Sequence, residues 1–375
     1  MQIQRNIKKD IENWLFKGKV IIIYGPRRIG KTTLAKEIIS SYGKEARYLN
    51  CDTLDTRMAL SIHDDKKLRE YLGPGKIFVI DEAQRVLNIG LSLKILVDTY
   101  PDIQIIATGS SSFDLSNRIN EPLTGRNVSF TLYPISISEL KKSHKNNFDF
   151  QKVLPDILRF GAYPEITSGK SPNPIFYLEE IANNYLYKDA LEYEGIKKPE
   201  VLLKLLKLLS YQIGNEVSYH ELATKLEVSR NLIIHYIDIL EKAFIIFRLS
   251  PWSRNLRNEI GKKFKVYFSD LGIRNALLGQ FGPLKTRNDI GGLWENFLVL
   301  ERIKKDRNNL QFTNRYFWQT YGGQEIDYLE EKGSNLFGFE FKWKKQNYKA
   351  PKAFLDAYPG SIITLIHQEN FMVFL

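Results

Sequence analysis

The sequence predicts an α/β protein that opens with a mostly parallel sheet covered by helices on both faces. A helix-rich stretch and a smaller α/β part follow. Three observations predict this. Apolar strand-like runs alternate with helical stretches through the first 140 residues, residues 150–250 are helix-rich, and short strands return after residue 285. Strand and helix in alternation build a parallel sheet under helical layers. In order, Lys19–Tyr24 reads as a buried strand, Thr32–Tyr42 as a helix, and Arg47–Cys51 as a short extended run. Lys76–Ile80 is an apolar, β-branched strand, Leu91–Thr99 a helix, and Ile103–Thr108 and Asn127–Leu132 two more strands. Helical spacing governs Phe176–Leu191 and Val201–Ile213, with Ser171–Pro174 read as a turn. The later strands are Tyr316–Gln319, Glu325–Leu329, Leu336–Phe341 and Ser361–Ile366.

Composition narrows the class. The 375 residues suggest two or three domains, at roughly 100–200 residues each. The single cysteine, Cys51, excludes an intrachain disulfide and any Cys-rich zinc site. Aromatics at 13% argue against disorder. No apolar run reaches the ~18 residues that span a bilayer, and Met1–Lys9 has no apolar signal segment. A cytoplasmic protein without a membrane partner is expected. Lys+Arg 54 against Asp+Glu 43 gives +11, of which residues 251–350 carry +7 (18 basic, 11 acidic). Such a surface suits a polyanion such as nucleic acid, and a Lys-rich solvated face is the plain alternative.

Gly25-Pro26-Arg27-Arg28-Ile29-Gly30-Lys31-Thr32-Thr33 fits a phosphate-binding loop between a strand and a helix. Its glycines let backbone N–H groups wrap phosphates, and the helix N-terminus adds partial positive charge. Lys31 is expected on the β- and γ-phosphates of ATP and the Thr32 hydroxyl on Mg²⁺. Ile77–Glu82 supplies a second element: an apolar strand that delivers Asp81 to the Mg²⁺ shell and Glu82 to the attacking water. A third strand, Ile105–Ser110, ends in small polar residues, and Ser110 or Thr108 would meet the γ-phosphate or that water. For a transition-state cation the sequence offers Arg118 and Arg126. Arg126 could face a neighbouring subunit, and a surface salt bridge is the alternative for each. Together these features predict a P-loop NTPase sheet.

Here the chain resembles the AAA+-superfamily ATPases of bacteria and archaea that carry a C-terminal domain of unknown function. The resemblance runs through Gly25–Leu34, Val79–Gln84, Ala107–Ser112, Gly125–Glu139, Phe160–Glu165 and Leu186–Ala190. It continues in Lys265–Gly272, Arg287–Phe297 and Gly322–Trp343. It implies an ATPase core over residues 1–145, a helical lid over 146–200, a winged helix over 201–284 and a nuclease-like domain over 285–375.

The residues themselves carry the last two parts. Ser218 with Glu221 forms a capping box before a helix through Leu226. A turn at Glu227–Ser229 leads to a second helix, Arg230–Ala243, and Phe244–Leu249 and Lys265–Phe268 would form a wing. In a DNA-binding reading Ser229, Arg230, Asn231 and His235 enter the major groove, while a winged helix used only for packing is the alternative. Further on, period-two geometry puts Glu340 and Lys342 on one face of a strand, with Asp327 on its neighbour. This matches the PD-(D/E)XK nuclease pattern: Asp327 and Glu340 would hold Mg²⁺ or Mn²⁺, Lys342 would orient or deprotonate water, and Glu295 would be a further ligand or a support. The alternative is an inactive fold whose charges form a salt-bridge cluster.

The expectation is therefore an ATP-hydrolysing protein that acts on DNA and can form a homo-oligomer. Two other readings stay open: an ATP-driven switch that binds protein only, and a metal-dependent nuclease gated by ATP.

Overall fold

The computed structural model describes residues 3–109, 122–144, 149–186, 196, 198–253, 263–320, 322–333 and 335–375. The chain divides into two compact units, one formed by residues 1–143 with Lys242–Phe244, the other by 144–241 and 245–375.

The first unit contains the parallel sheet. Its strands are β1 (Val20–Tyr24), β2 (Ala46–Asn50), β3 (Ile77–Asp81), β4 (Gln104–Gly109) and β5 (Asn127–Thr131). They lie in the order β2-β3-β4-β1-β5, with every pairing parallel. Successive side chains of a strand point to opposite faces. All residues of β1, β3 and β4 are buried, so both faces of the sheet centre are covered. The unit's helices are α1 (Lys8–Asn13), α2 (Lys31–Ile39), α3 (Leu54–Leu60), α4 (Asp65–Leu72), α5 (Ile89–Thr99) and α6 (Ile137–Ser143). α2 is shorter than its periodicity suggested: a 3₁₀ turn over Ser40–Glu45 follows it, where Gly43 takes a positive φ. Leu68, Leu72, Leu93 and Leu96 from α4 and α5 join Phe78, Ile80 and Ile105 of the sheet in one core.

The second unit starts with α7 (Phe150–Phe160), α8 (Pro174–Glu180) and α9 (Pro199–Tyr211). Pro174 is the first helical residue, capped by Asn173, so the helix begins inside the expected turn. α8 leads into a π-helical turn, Ile181–Leu186, and the rest of the expected helix lies outside the described residues. Then come β6 (Glu216–Ser218), α10 (Tyr219–Leu226), α11 (Arg230–Lys242), β7 (Ile246–Pro251) and β8 (Lys263–Phe268). The chain continues through α12 (Leu271–Leu278), α13 (Ile290–Asn308), β9 (Asn314–Gln319), β10 (Glu325–Lys332), β11 (Asn335–Phe341), α14 (Lys352–Ala357) and β12 (Ile362–Ile366).

β6–β8 and β9–β12 form one seven-stranded sheet, β12-β11-β10-β9-β7-β8-β6. Its halves join through only two residue pairs, Ser250↔Tyr316 and Pro251↔Phe317. The 284/285 boundary expected from sequence thus lies inside one compact unit. α13 touches both halves of the sheet, at β8 and at β11. No helix among the described residues is long and apolar enough to cross a membrane.

Gly25, at the end of β1, shows what the loop geometry demands. It holds φ +149, and a Cβ there would lie 2.3 Å from the Leu132 carbonyl oxygen. A side chain would push apart β1 and the end of β5, which are joined by Leu132 N–H donating to the Tyr24 carbonyl at 2.7 Å. Gly25→Ala is expected to cost about 2 kcal/mol in chemical denaturation and to abolish nucleotide binding. A fully stable, nucleotide-binding Gly25→Ala protein would contradict this account.

Candidate functional site

The phosphate loop curls between β1 and α2. Arg28 and Gly30 adopt left-handed backbone, which turns successive N–H groups inward. Lys31, 5% exposed, donates to the carbonyls of Gly25 and Pro26 at 2.8 Å each. Its ammonium therefore lies within the cradle formed by Gly25–Gly30. Thr33, which follows Thr32 in α2, is exposed.

β4 lies between β1 and β3, and this placement assembles the site. Thr32 Oγ1 from α2 donates to Asp81 at 2.9 and 3.0 Å. Tyr48 from β2 donates to Asp81 Oδ2 at 2.6 Å, and Thr108 from β4 donates to Oδ1. Burial first, then the neighbouring Asp81 carboxylate, raises the Tyr48 pKa, which keeps the phenol a donor. A hydroxyl and a carboxylate in direct contact at the mouth of a phosphate loop suit a hard, oxygen-preferring cation, so Thr32 and Asp81 fit Mg²⁺. Glu82 takes a left-handed backbone, φ +53, uncommon for a residue with a Cβ. Its N–H donates to Thr108 Oγ1 at 3.3 Å, and its carboxylate accepts from Gln84.

Of the two residues offered at the end of β4, Thr108 joins Asp81, whereas Ser110 and Arg118 lie outside the described residues. Arg126 forms the surface salt bridge that was its alternative reading. It precedes β5, its carbonyl accepting from Val20 N–H at 2.9 Å. That is the start of β1, about 16 Å along the strand from the phosphate loop. Its guanidinium pairs with Asp98 at 2.6 Å on the surface. Arg126 therefore does not reach the nucleotide of its own copy.

Arg5 was missed in the sequence. Its guanidinium donates to Ile29 O in the phosphate loop at 3.0 Å, to Tyr133 O at 2.5 Å and to Glu139 at 3.1 Å. Glu139, 1% exposed, also accepts from Asn6 N–H and Ser136 N–H. An arginine near a chain start has no sequence mark of such a role, because its partners lie 24 to 134 residues away.

In the second unit Ser218 caps α10 by accepting from Glu221 N–H at 3.1 Å, one half of the capping box, while the Glu221 carboxylate accepts from Lys225 at 2.6 Å. Ser229, Arg230, Asn231 and His235 are all exposed around the first turns of α11. Ser229 Oγ accepts from Leu232 N–H at 3.2 Å, and the Arg230 guanidinium lies 5.7 Å from the Tyr219 ring. β7 and β8 pair as the expected wing. β6, with three residues, is too short to signal itself.

The C-terminal carboxylates meet, but around a lysine that the sequence reading placed only in the wing. Lys265 of β8 lies among Glu295, Glu325 and Asp327, and Tyr267 donates to Glu295 at 2.7 Å. Burial pushes the Glu295 carboxyl up to about 8, against the pull of Lys265. Burial also works to deprotonate Lys265, yet Glu295 and the other surrounding groups outweigh it and raise its pKa. Asp327 Oδ2 accepts from Phe341 N–H at 2.9 Å, and Glu340 pairs with Lys342 at 2.8 Å. Among the described residues, no group of three or more His, Cys, Asp or Glu side chains is arranged to hold a metal ion.

Truncating Arg5 would leave Glu139 buried without its cation. Arg5→Ala is expected to lose about 3 kcal/mol of stability and to weaken nucleotide binding by releasing Ile29. Arg5→Lys should recover part of the stability and little of the binding, since one ammonium cannot reproduce the fork of three contacts. Denaturant titration and nucleotide binding on the same samples separate the two effects, and unchanged binding in Arg5→Ala would exclude a role at the loop.

Residues 17–141 match a family described as an AAA domain. Residues 151–284 and 290–371 match two domains of unknown function, DUF8612 and DUF4143. An uncharacterized protein of Methanocaldococcus jannaschii is 30% identical over 358 residues, covering 86% of this chain and 74% of that protein. An uncharacterized protein of Mycobacterium tuberculosis is 26% identical over 343 residues, covering 90% and 74%. Among solved structures, the Thermotoga maritima RuvB Holliday junction branch migration motor aligns over 69% of this chain and 91% of its own, at 18% identity and TM-score 0.35. A phosphate loop, the Asp81–Glu82 strand end and a C-terminal DUF4143 region thus stand in one chain that aligns along most of its length with the archaeal protein, and the chain belongs to that family of AAA+-superfamily ATPases with a C-terminal domain of unknown function.

Proposed function

We propose that this protein hydrolyses ATP and uses the cycle to act on DNA through its winged helix. The observation that carries the first half is the junction of Thr32, Tyr48 and Thr108 on Asp81, beside Glu82. Bound Mg²⁺ would neutralise charge on the β- and γ-phosphates. Thr32 and Asp81 would hold that ion, directly or through its water. Lys31 would leave the Gly25 and Pro26 carbonyls for the phosphates. Glu82 would orient and deprotonate the attacking water, with Thr108 holding its backbone in place.

The DNA half is supported by the exposed set Ser229, Arg230, Asn231 and His235 at the start of α11, and by the +7 of residues 251–350. In this reading residues 1–145 hydrolyse ATP, residues 146–200 form a helical lid segment, residues 201–284 contact DNA and residues 285–375 complete that body. A homo-oligomer fits the reading, with Arg126 offered to a neighbouring copy. So does a cytoplasmic setting, in which the buried Cys51 thiol, its pKa pushed up to about 12 by burial, stays unreactive. A protein-binding switch is the second reading. It is favoured by an exposed apolar row on α3, where Leu54 and Met58 are 61% and 63% exposed.

Lys31→Ala is expected to lose ATP binding, and Glu82→Gln to bind ATP while hydrolysing it at least ~100-fold more slowly. Turnover at the wild-type rate in Glu82→Gln would remove Glu82 as the base. Wild-type hydrolysis measured with and without single-stranded, duplex and branched DNA tests the coupling.

DNA binding should weaken with salt by a slope of about −0.9 in log affinity per neutralised phosphate. The double substitution Arg230→Ala with Asn231→Ala should weaken it further while leaving ATP hydrolysis without DNA intact. No affinity for any DNA form at low salt would favour the switch.

A further inference from the structure

A divalent metal was expected on Asp327 and Glu340, and the geometry at Asp327 speaks against one, because its carboxylate is shared with a buried lysine. Lys265 is 1% exposed. Its Nζ lies 2.9 Å from Glu295 Oε1, 2.5 Å from Glu325 Oε1 and 3.3 Å from Asp327 Oδ1. Glu295 comes from α13, Glu325 and Asp327 come from β10, and the lysine comes from β8 of the wing. The face of the Phe317 ring lies 5.7 Å from the same ammonium. A divalent cation on these carboxylates would stand about 2.0–2.6 Å from their oxygens, in space the ammonium already fills. Two cations cannot share that space without strong repulsion in a poorly screened interior.

We infer that Lys265 is the resident cation of Glu295, Glu325 and Asp327, so that these carboxylates join the wing to the C-terminal strands and hold no metal. The donor set fits this role. Three carboxylates from two elements converge on one ammonium, which has three protons to donate. Glu340, the fourth acid, has its own counter-charge in Lys342 at 2.8 Å. An ammonium fixed by hydrogen bonds offers no open position to a phosphate oxygen or a water molecule, so it supplies no metal-assisted hydrolysis. The chain provides this cation covalently, and a chelator cannot remove it. The inference goes beyond the ATP- and DNA-dependent reading and survives its failure, because neither nucleotide nor DNA enters it.

The test uses the full chain, free of nucleotide and carrying Asp81→Asn so that the phosphate-loop site takes no metal. Mn²⁺ alone is titrated in, and the bound ion is counted from the loss of the free-ion paramagnetic resonance signal. The expected result is no Mn²⁺ binding that depends on Asp327, even in the millimolar range, and a melting temperature unchanged by chelator. Lys265→Gln in the same background should gain one Mn²⁺ site, and Asp327→Asn should remove it again. Where Lys265→Gln does not fold, Lys265→Gln with Glu295→Gln takes its place, since it removes the lysine together with one of its buried hydrogen-bond partners and leaves three acids. A Mn²⁺ ion bound while Lys265 is present, and lost on Asp327→Asn, would overturn the inference. So would a folded Lys265→Gln protein that gains no site. If neither lysine variant folds, the comparison of the Lys265-bearing chain with and without Asp327→Asn decides alone.

Discussion

One carboxylate organises the ATPase unit. Asp81 accepts hydrogen bonds from Thr32, Tyr48 and Thr108, and these hydroxyls arrive from α2, β2 and β4. A buried carboxylate with its oxygens satisfied is stable in place, whereas one left unpaired is costly. The ends of three strands and the start of the helix after the phosphate loop are therefore held to one point. The strand order makes this possible: with β4 between β1 and β3, Thr108 stands between the loop and Asp81. The same hydroxyl accepts from Glu82 N–H, so the placement of Glu82 follows from the placement of Asp81.

Buried ion pairs recur wherever distant segments must meet. Arg5 and Glu139 tie the start of the chain to the far end of the ATPase unit, with Ile29 of the phosphate loop held in the same grip. In the second unit Arg274 pairs with Asp289, and Arg302 pairs with Glu330. Such pairs add little net stability over an apolar packing of equal shape. They do make one arrangement far better than its neighbours, because a shifted register would strand a charge. Lys265 extends this device to a whole cluster, and it does so across the narrow join between the two halves of the second sheet.

Local rules made much of this protein legible. Gly25, Gly30, Lys31 and Thr32 stand at fixed spacing because a phosphate-wrapping turn tolerates few residue types, and the apolar run before Asp81 reads as a central strand at once. The capping box at Ser218 and Glu221 located the start of α10. Legibility failed where local sequence competes with nothing distinctive: β6 is three residues long, and Pro174 serves as a helix start inside what reads as a turn. Arg126 had two readings, and the surface pair with Asp98 is the one seen within the chain. Its nearness in sequence to a strand suggested the site, but it enters at the end of β5 opposite the phosphate loop.

The sequence by itself determined the five strands and two of the helices of the ATPase unit, the phosphate loop with Asp81 and Glu82 at the end of a buried strand, and the acidic residues of the C-terminal strands. Each rests on periodicity or on a short motif, and both are properties of neighbouring residues. Tertiary structure alone decided that β4 inserts between β1 and β3, that Arg5 grips the phosphate loop, and that a lysine from the wing sits among Glu295, Glu325 and Asp327. In those cases the interacting groups are 24 to 134 residues apart. What unites them is the penalty on a buried charge or hydroxyl left without a partner, and a penalty of that kind arises only once the chain has folded.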